Sequence, residues 1–128
     1  MILPSLTIAL STKGGRGVFA TKSIPANTII EISPVLVLSA KERKTAEQTN
    51  LFNYFFEWGD SGRKGGLGMG YISMYNHDYN ANCDYEMDFE FDMMKITTIR
   101  KINKGEELYI NYNGIPNNTK PVWFDAKK

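Results

Sequence analysis

Apolar and polar positions along this chain alternate more often than they repeat at helical spacing, so the elements they predict are mostly short strands. Residues 6–10 read as a strand, residues 13–17 as a tight turn, and Val18-Phe19-Ala20 as the strand resuming. Ile24-Pro25-Ala26-Asn27 turns the chain again. The β-branched run Thr28-Ile29-Ile30-Glu31-Ile32 predicts a third strand, continued in extended form by residues 34–38. Ser39-Ala40-Lys41-Glu42 has capping-box spacing, and the polar stretch 41–48 predicts a short surface helix. Period-2 reading of residues 51–58 puts Phe52, Tyr54, Phe56 and Trp58 on one face, an aromatic stripe of the kind that more often builds a core than a site. Six glycines between Gly59 and Gly70 predict a mobile loop; their order does not fit the phosphate-loop pattern G-x-x-x-x-G-K-[ST].

Beyond Cys83 the alternation is strict. Asp84, Glu86, Asp88, Glu90 and Asp92 fall on one face and Tyr85, Met87, Phe89, Phe91 and Met93 on the other, a strand with one acidic side. That side is either a solvated sheet face or a landing surface for a basic peptide. Residues 95–102 form a β-branched strand that pairs with the acidic one through a turn marked by neither Gly nor Pro. Asn103-Lys104-Gly105 is a turn, residues 108–112 are the last strand, and the loop-like tail after Asn113-Gly114 carries the apolar pair Trp123-Phe124.

The chain has 128 residues, enough for one domain with one core. Fifteen basic residues against fourteen acidic ones leave a net charge of +1, too little for a field that would hold nucleic acid non-specifically. The single cysteine, Cys83, excludes an internal disulfide and a cysteine-rich zinc cluster, and no metal is expected. The apolar run 2–10 is interrupted by Pro4, has no basic residue ahead of it and is too short for a membrane span. A protein of the reducing cell interior is expected: cytoplasmic, or nuclear in a eukaryotic host.

The densest polar stretch is Tyr75-Asn76-His77-Asp78-Tyr79-Asn80-Ala81-Asn82-Cys83, which holds the only histidine and the only cysteine. Alone it reads as a turn whose Asn and Asp side chains bond their own backbone. Upstream lies Gly15-Arg16-Gly17-Val18-Phe19-Ala20, which also fits the dinucleotide fingerprint G-x-G-x-x-A. That fingerprint needs a following helix, and Ser23-Ile24-Pro25-Ala26-Asn27 breaks one at once. Downstream lies Gly105-Glu106-Glu107-Leu108-Tyr109-Ile110-Asn111-Tyr112.

In this order and spacing the three stretches resemble the SET-domain family of protein lysine methyltransferases, whose pattern runs G-x-G, then N-H-S-x-x-P-N, then G-E-E-L-x-x-x-Y. Gly15 and Gly17 match the first; Asn76, His77 and Asn82 the second; Gly105, Glu106, Glu107, Leu108 and Tyr112 the third. The resemblance covers about residues 5–115, with 116–128 as a C-terminal tail. Asp78 stands where the family has Ser, and Ala81 where it has Pro. The fold implied is mostly β and β-clip-like, with several short sheets, little helix and a C-terminal pseudoknot. The cysteine-rich zinc segment that follows many such domains is not part of the pattern here.

The resemblance implies S-adenosylmethionine as methyl donor, S-adenosylhomocysteine as product, and a lysine in a basic protein segment as acceptor, a histone tail being one candidate. It implies that Gly15, Arg16 and Gly17 let the backbone approach the methionine part of the cofactor. The Asn76 side chain would bond its amino-acid end, the His77 backbone would read the adenine edge, and Trp123 would stack on the ring. Tyr112 would be the catalytic centre, its phenol meeting both the cofactor's methyl group and the amine, and Tyr54, Tyr75 and Tyr112 would line the lysine channel. Bringing a free lysine to its neutral form at pH 7 costs roughly 4.6 kcal/mol. An aromatic channel and a sulfonium charge supply part of that, so an alkaline optimum is expected. A non-catalytic peptide-binding module on the same fold is the competing reading, and methylation of a small amine a third. Monomer and homodimer both remain open.

Overall fold

A computed structural model describes residues 1–112. Among them the chain forms nine strands and one short helix: β1 (Leu6–Leu10), β2 (Arg16–Ala20), β3 (Ile29–Leu38), α1 (Ala40–Ala46), β4 (Phe55–Trp58), β5 (Lys64–Gly68), β6 (Asn76–His77), β7 (Cys83–Asp88), β8 (Met93–Thr98) and β9 (Glu107–Ile110). Two sheets result, ordered β1-β2-β9-β6 and β4-β5-β3-β8-β7. No helix among the described residues is long and apolar enough to cross a membrane. The tail and Trp123 lie outside the described residues.

The first sheet carries the feature on which the site depends. β9 enters between β2 and β6, antiparallel to the one (Val18 opposite Leu108) and parallel to the other (Asn76 opposite Tyr109, His77 opposite Ile110). Asn82 holds it there. Its Nδ2 donates to the Glu107 carbonyl at 2.8 Å, and its Oδ1 accepts from the Tyr109 N–H at 2.8 Å. With 1% of its surface exposed, this amide serves as a side-chain extension of the sheet.

The second sheet is centred on β3, and its buried Ile30, Trp58, Met94 and Ile96 join Val18, Ile72, Tyr75, Ile102, Leu108 and Ile110 in one core. Helix α1 starts as its spacing predicts. The Ser39 side chain accepts from the Glu42 N–H, and the Glu42 carboxylate accepts from the Ser39 N–H.

Three expectations need correction. The glycine-rich stretch is not a mobile loop throughout, because residues 64–68 are strand β5, paired on both sides with β3 and β4. Its glycines are there for close packing. A Cβ on Gly66 would meet the Trp58 ring at 2.7 Å, and one on Gly68 would meet the Ile72 side chain. The aromatic stripe breaks, since residues 50–53 form a 3₁₀ turn and the strand begins only at Phe55. Phe56 and Trp58 are buried as expected, while Phe52 and Tyr54 face outward. The strict acidic alternation continues past the end of β7 at Asp88 into a turn. There the Asp88 carboxylate accepts from the Glu90 and Phe91 N–H groups, and Asp92 takes the left-handed conformation at φ +52°. Asp doing the work of Gly is why neither Gly nor Pro marks this turn.

Candidate active site

Pairing β6 beside β9 draws the three motifs together. The loop between β1 and β2, the end of β9 and the Asn76-His77 pair surround a cleft of about 280 Å³, lined by Lys13, Gly14, Gly15, Arg16, Asn53, Tyr54, Ser73, Met74, Asn76 and Tyr112. Gly14 and Gly15 hold φ of +109° and +60°, so the loop turns where a side chain would be strained, and a Cβ on either would meet open space. Gly17 is different. It is buried in β2, and a Cβ there would drive into the Glu107 carboxylate and the Asn76 amide. The first glycine therefore shapes the loop and the second lets β6 and β9 approach β2.

Tyr112 is held in the cleft from several sides. Its hydroxyl donates to the Tyr75 carbonyl at 2.7 Å, and its N–H donates to His77 Nδ1 at 2.9 Å. Its ring meets Phe56 edge-on at 5.9 Å and His77 at 5.2 Å. Burial, reinforced by the neighbouring Tyr85 and Tyr54, raises its pKa far above the ordinary phenol value, so the hydroxyl stays protonated. The His77 imidazole accepts at Nδ1, as a neutral ring does. Burial lowers its pKa and Lys13 adds to this, while Asp78 opposes. His77 thus positions Tyr112 through its side chain, a role the sequence reading did not assign to it.

Asn76 lines the cleft, but its Nδ2 is directed inward, donating to the Arg16 carbonyl at 3.1 Å and to Glu107 Oε2 at 2.9 Å. Glu107 is nearly buried and also accepts from the Ser11 hydroxyl and the Tyr109 hydroxyl. Glu106 accepts from the Asn103 N–H and bonds Asn82, so both glutamates fix structure. Tyr54 shares the cleft with Tyr112 while 44% exposed, a ring at the mouth.

Tyr75 is placed otherwise than expected. Its ring is 1% exposed and turned into the core, where its hydroxyl donates to Glu31 Oε1 at 2.8 Å. It does not line the cleft; what it offers Tyr112 is its main-chain carbonyl. Glu31, fully buried on β3, also accepts from the Ser33 hydroxyl and the Tyr71 N–H. An acidic residue inside the β-branched run 28–32 was the available signal for this hub.

The two departures from the family pattern have local substitutes. Asp78 Oδ1 accepts from the Asn80 N–H at 2.7 Å, closing the turn as a serine hydroxyl would. Next to buried Ala81, the Arg100 guanidinium donates to the Ala81 carbonyl at 3.1 Å and to the Asn80 carbonyl at 3.4 Å, tying down backbone that a proline would have stiffened. Cys83 is buried, and desolvation pushes its thiol up to about 12, which fits a packing residue and not a nucleophile. Among the described residues no three His, Cys, Asp or Glu side chains gather as a metal site.

Comparison with known proteins agrees with this geometry. Residues 15–113 match the SET domain family. The chain is 40% identical over 126 residues, 98% of its length, to a histone-lysine N-methyltransferase, H3 lysine-37 specific, of Schizosaccharomyces pombe, and spans 80% of that protein. It is 31% identical over 121 residues to an H3 lysine-36 specific histone-lysine N-methyltransferase of Cryptococcus neoformans, of which it spans only 14%. A Plasmodium falciparum protein described as a candidate histone methyltransferase superposes with a TM-score of 0.66 at 30% identity, over 84% of this chain and 96% of that one. The Chaetomium thermophilum Polycomb Repressive Complex 2 bound to S-adenosylmethionine shares the fold, with a TM-score of 0.70 at 22% identity, over 88% of this chain and 16% of that one. With the three motifs, the cleft they surround and these relatives in agreement, the chain belongs to the SET-domain family of protein lysine methyltransferases.

Proposed function

We propose that the chain uses S-adenosylmethionine to methylate a lysine amine in a basic protein segment, a histone tail being the first candidate. The observation that carries this reading is that the glycine loop, Asn76, Tyr54 and Tyr112 line one cleft. The cleft residues suit such a cofactor. Arg16 offers a cation to a carboxylate, Asn76 offers the oxygen of its amide to an ammonium group, and the backbone around Gly14 and Gly15 leaves room for close approach. When bound, the cofactor supplies an electrophilic methyl group on a sulfonium sulfur.

The chain's own residues supply alignment and dryness. Tyr54 and Tyr112 present aromatic walls suited to a lysine stem, which an apolar surface accepts while its amine is driven toward the neutral form. Tyr112 keeps its proton, donates it in a hydrogen bond to the Tyr75 carbonyl, and so orients the amine through its hydroxyl oxygen without competing as a base. The Tyr75 carbonyl lies 2.7 Å from that hydroxyl and adds a second polar group at the reacting end.

Calorimetric titration with S-adenosylmethionine tests the reading, with micromolar binding expected. No heat from the folded protein would move the weight to a peptide-binding module. Turnover of a basic peptide should climb from pH 7 toward pH 10, because only the neutral amine reacts. Burial holds the Tyr112 phenol protonated over this range, so no falling limb is expected from it. A flat profile would argue against amine deprotonation as the gate.

A further inference from the structure

Asp78, the residue that departs from the family's serine, does more than close its turn. Its Oδ2 meets Lys13 Nζ at 2.8 Å, with the two side chains only 26% and 16% exposed. Lys13 belongs to the loop between β1 and β2, lines the cleft, and sets its ammonium 5.5 Å from the Tyr109 ring centroid. The base of that loop is already fixed. The Ser11 hydroxyl donates to Glu107, the Ser11 N–H to the Gly15 carbonyl, and the Lys13 N–H to the Ser11 hydroxyl. At its far side Asp78 is equally fixed, its N–H on the Ile110 carbonyl and its Oδ1 on the Asn80 N–H. The ion pair therefore joins two anchored segments, the glycine loop and the turn that follows Asn76-His77.

We infer that Lys13 and Asp78 are positioning residues that latch the glycine loop to the Asn-His turn and hold the cofactor half of the cleft in its binding shape. Neither need touch the cofactor for this. A charge-assisted bond at partial burial is stronger than the exposed kind, and the two glycines beside Lys13 add no side-chain contacts to the hydrogen bonds at the loop's base. A serine at position 78 closes the turn but offers Lys13 no charge. The latch is thus a property of this chain and not of the family pattern.

The inference rests on the proposed cofactor reading, and its test separates the two. S-adenosylhomocysteine is titrated calorimetrically into wild type, Lys13→Met, Asp78→Asn and the double variant. Hydrogen exchange of amides 12–16 is followed without ligand. Asp78→Asn keeps an acceptor for the Asn80 N–H and removes only the charge; Asp78→Ser serves as a second variant with the side chain the family uses there. Each single change is expected to weaken binding by about 5- to 20-fold. The double variant should bind no more weakly than the weaker single, and amides 12–16 should exchange faster in all of them. Unchanged exchange would overturn the latch. So would weaker binding in Lys13→Met alone, with Asp78→Asn unchanged or tighter, because Lys13 would then meet the ligand directly. Faster exchange in the variants, with a wild type that takes up no S-adenosylhomocysteine, would uphold the latch and sink the cofactor reading.

Discussion

Tyr112→Phe is expected to lower methyl transfer by about 100-fold or more, the usual cost of losing one aimed hydrogen-bonding group in a dry site. Cofactor affinity should stay within about threefold of wild type. The asymmetry follows from the contacts. The ring packs on Phe56 and His77, and the Tyr112 main chain is held by His77, so the phenylalanine keeps its place. What disappears is the hydroxyl that meets the Tyr75 carbonyl, leaving that carbonyl to attract water or misdirect the amine. Steady-state kinetics with a basic peptide, together with cofactor titration, check this. Turnover within a few fold of wild type would remove Tyr112 from the catalytic role, while a joint loss of turnover and affinity would make it a structural residue.

The second large effect is on stability. Glu31→Ala leaves two buried donors, from Ser33 and Tyr75, and the part-buried Tyr71 N–H facing a gap. Unsatisfied buried groups and the cavity together should cost roughly 3–5 kcal/mol. For a domain of this size that is a fall in Tm of more than about 10 °C. Glu31→Gln should fall between the two, since all three partners donate and an amide NH₂ faces one of them wrongly. Differential scanning calorimetry reads the difference; a drop in the alanine variant below about 4 °C would mean that water takes over the acceptor role.

Much of this was legible in the residue pattern, for identifiable reasons. Strands β1, β2, β3 and β9 and helix α1 announce themselves through short-range rules, namely alternation, β-branching and a capping box. Strand β5 does not. Its glycines are chosen by the neighbours Trp58, Val35 and Ile72, contacts that no local window contains. The hairpin at residues 89–92 was hidden because acid and aromatic residues keep alternating where the backbone already turns. The site was legible through its three motifs, yet the directions of its side chains were not. Tyr75 reads as a channel ring until Glu31, on a distant strand, is seen to draw its hydroxyl into the core. Asn82 matches its motif, but nothing in its spacing reveals that its amide bonds two backbone groups of β9.

The entry of β9 between β2 and β6 also bears on how the protein acquires its shape. The strand sits between partners that precede it by many tens of residues, and one of those pairings is parallel. Loop closure must come before any of these contacts repays it, so the local hairpins β1–β2 and β7–β8 can form while the cleft has no walls. On a ribosome, the cleft cannot form until residue 112 has emerged, so a chain arrested before Glu107 would carry a hairpin core with β2 and β6 unpaired along the edges that β9 normally joins.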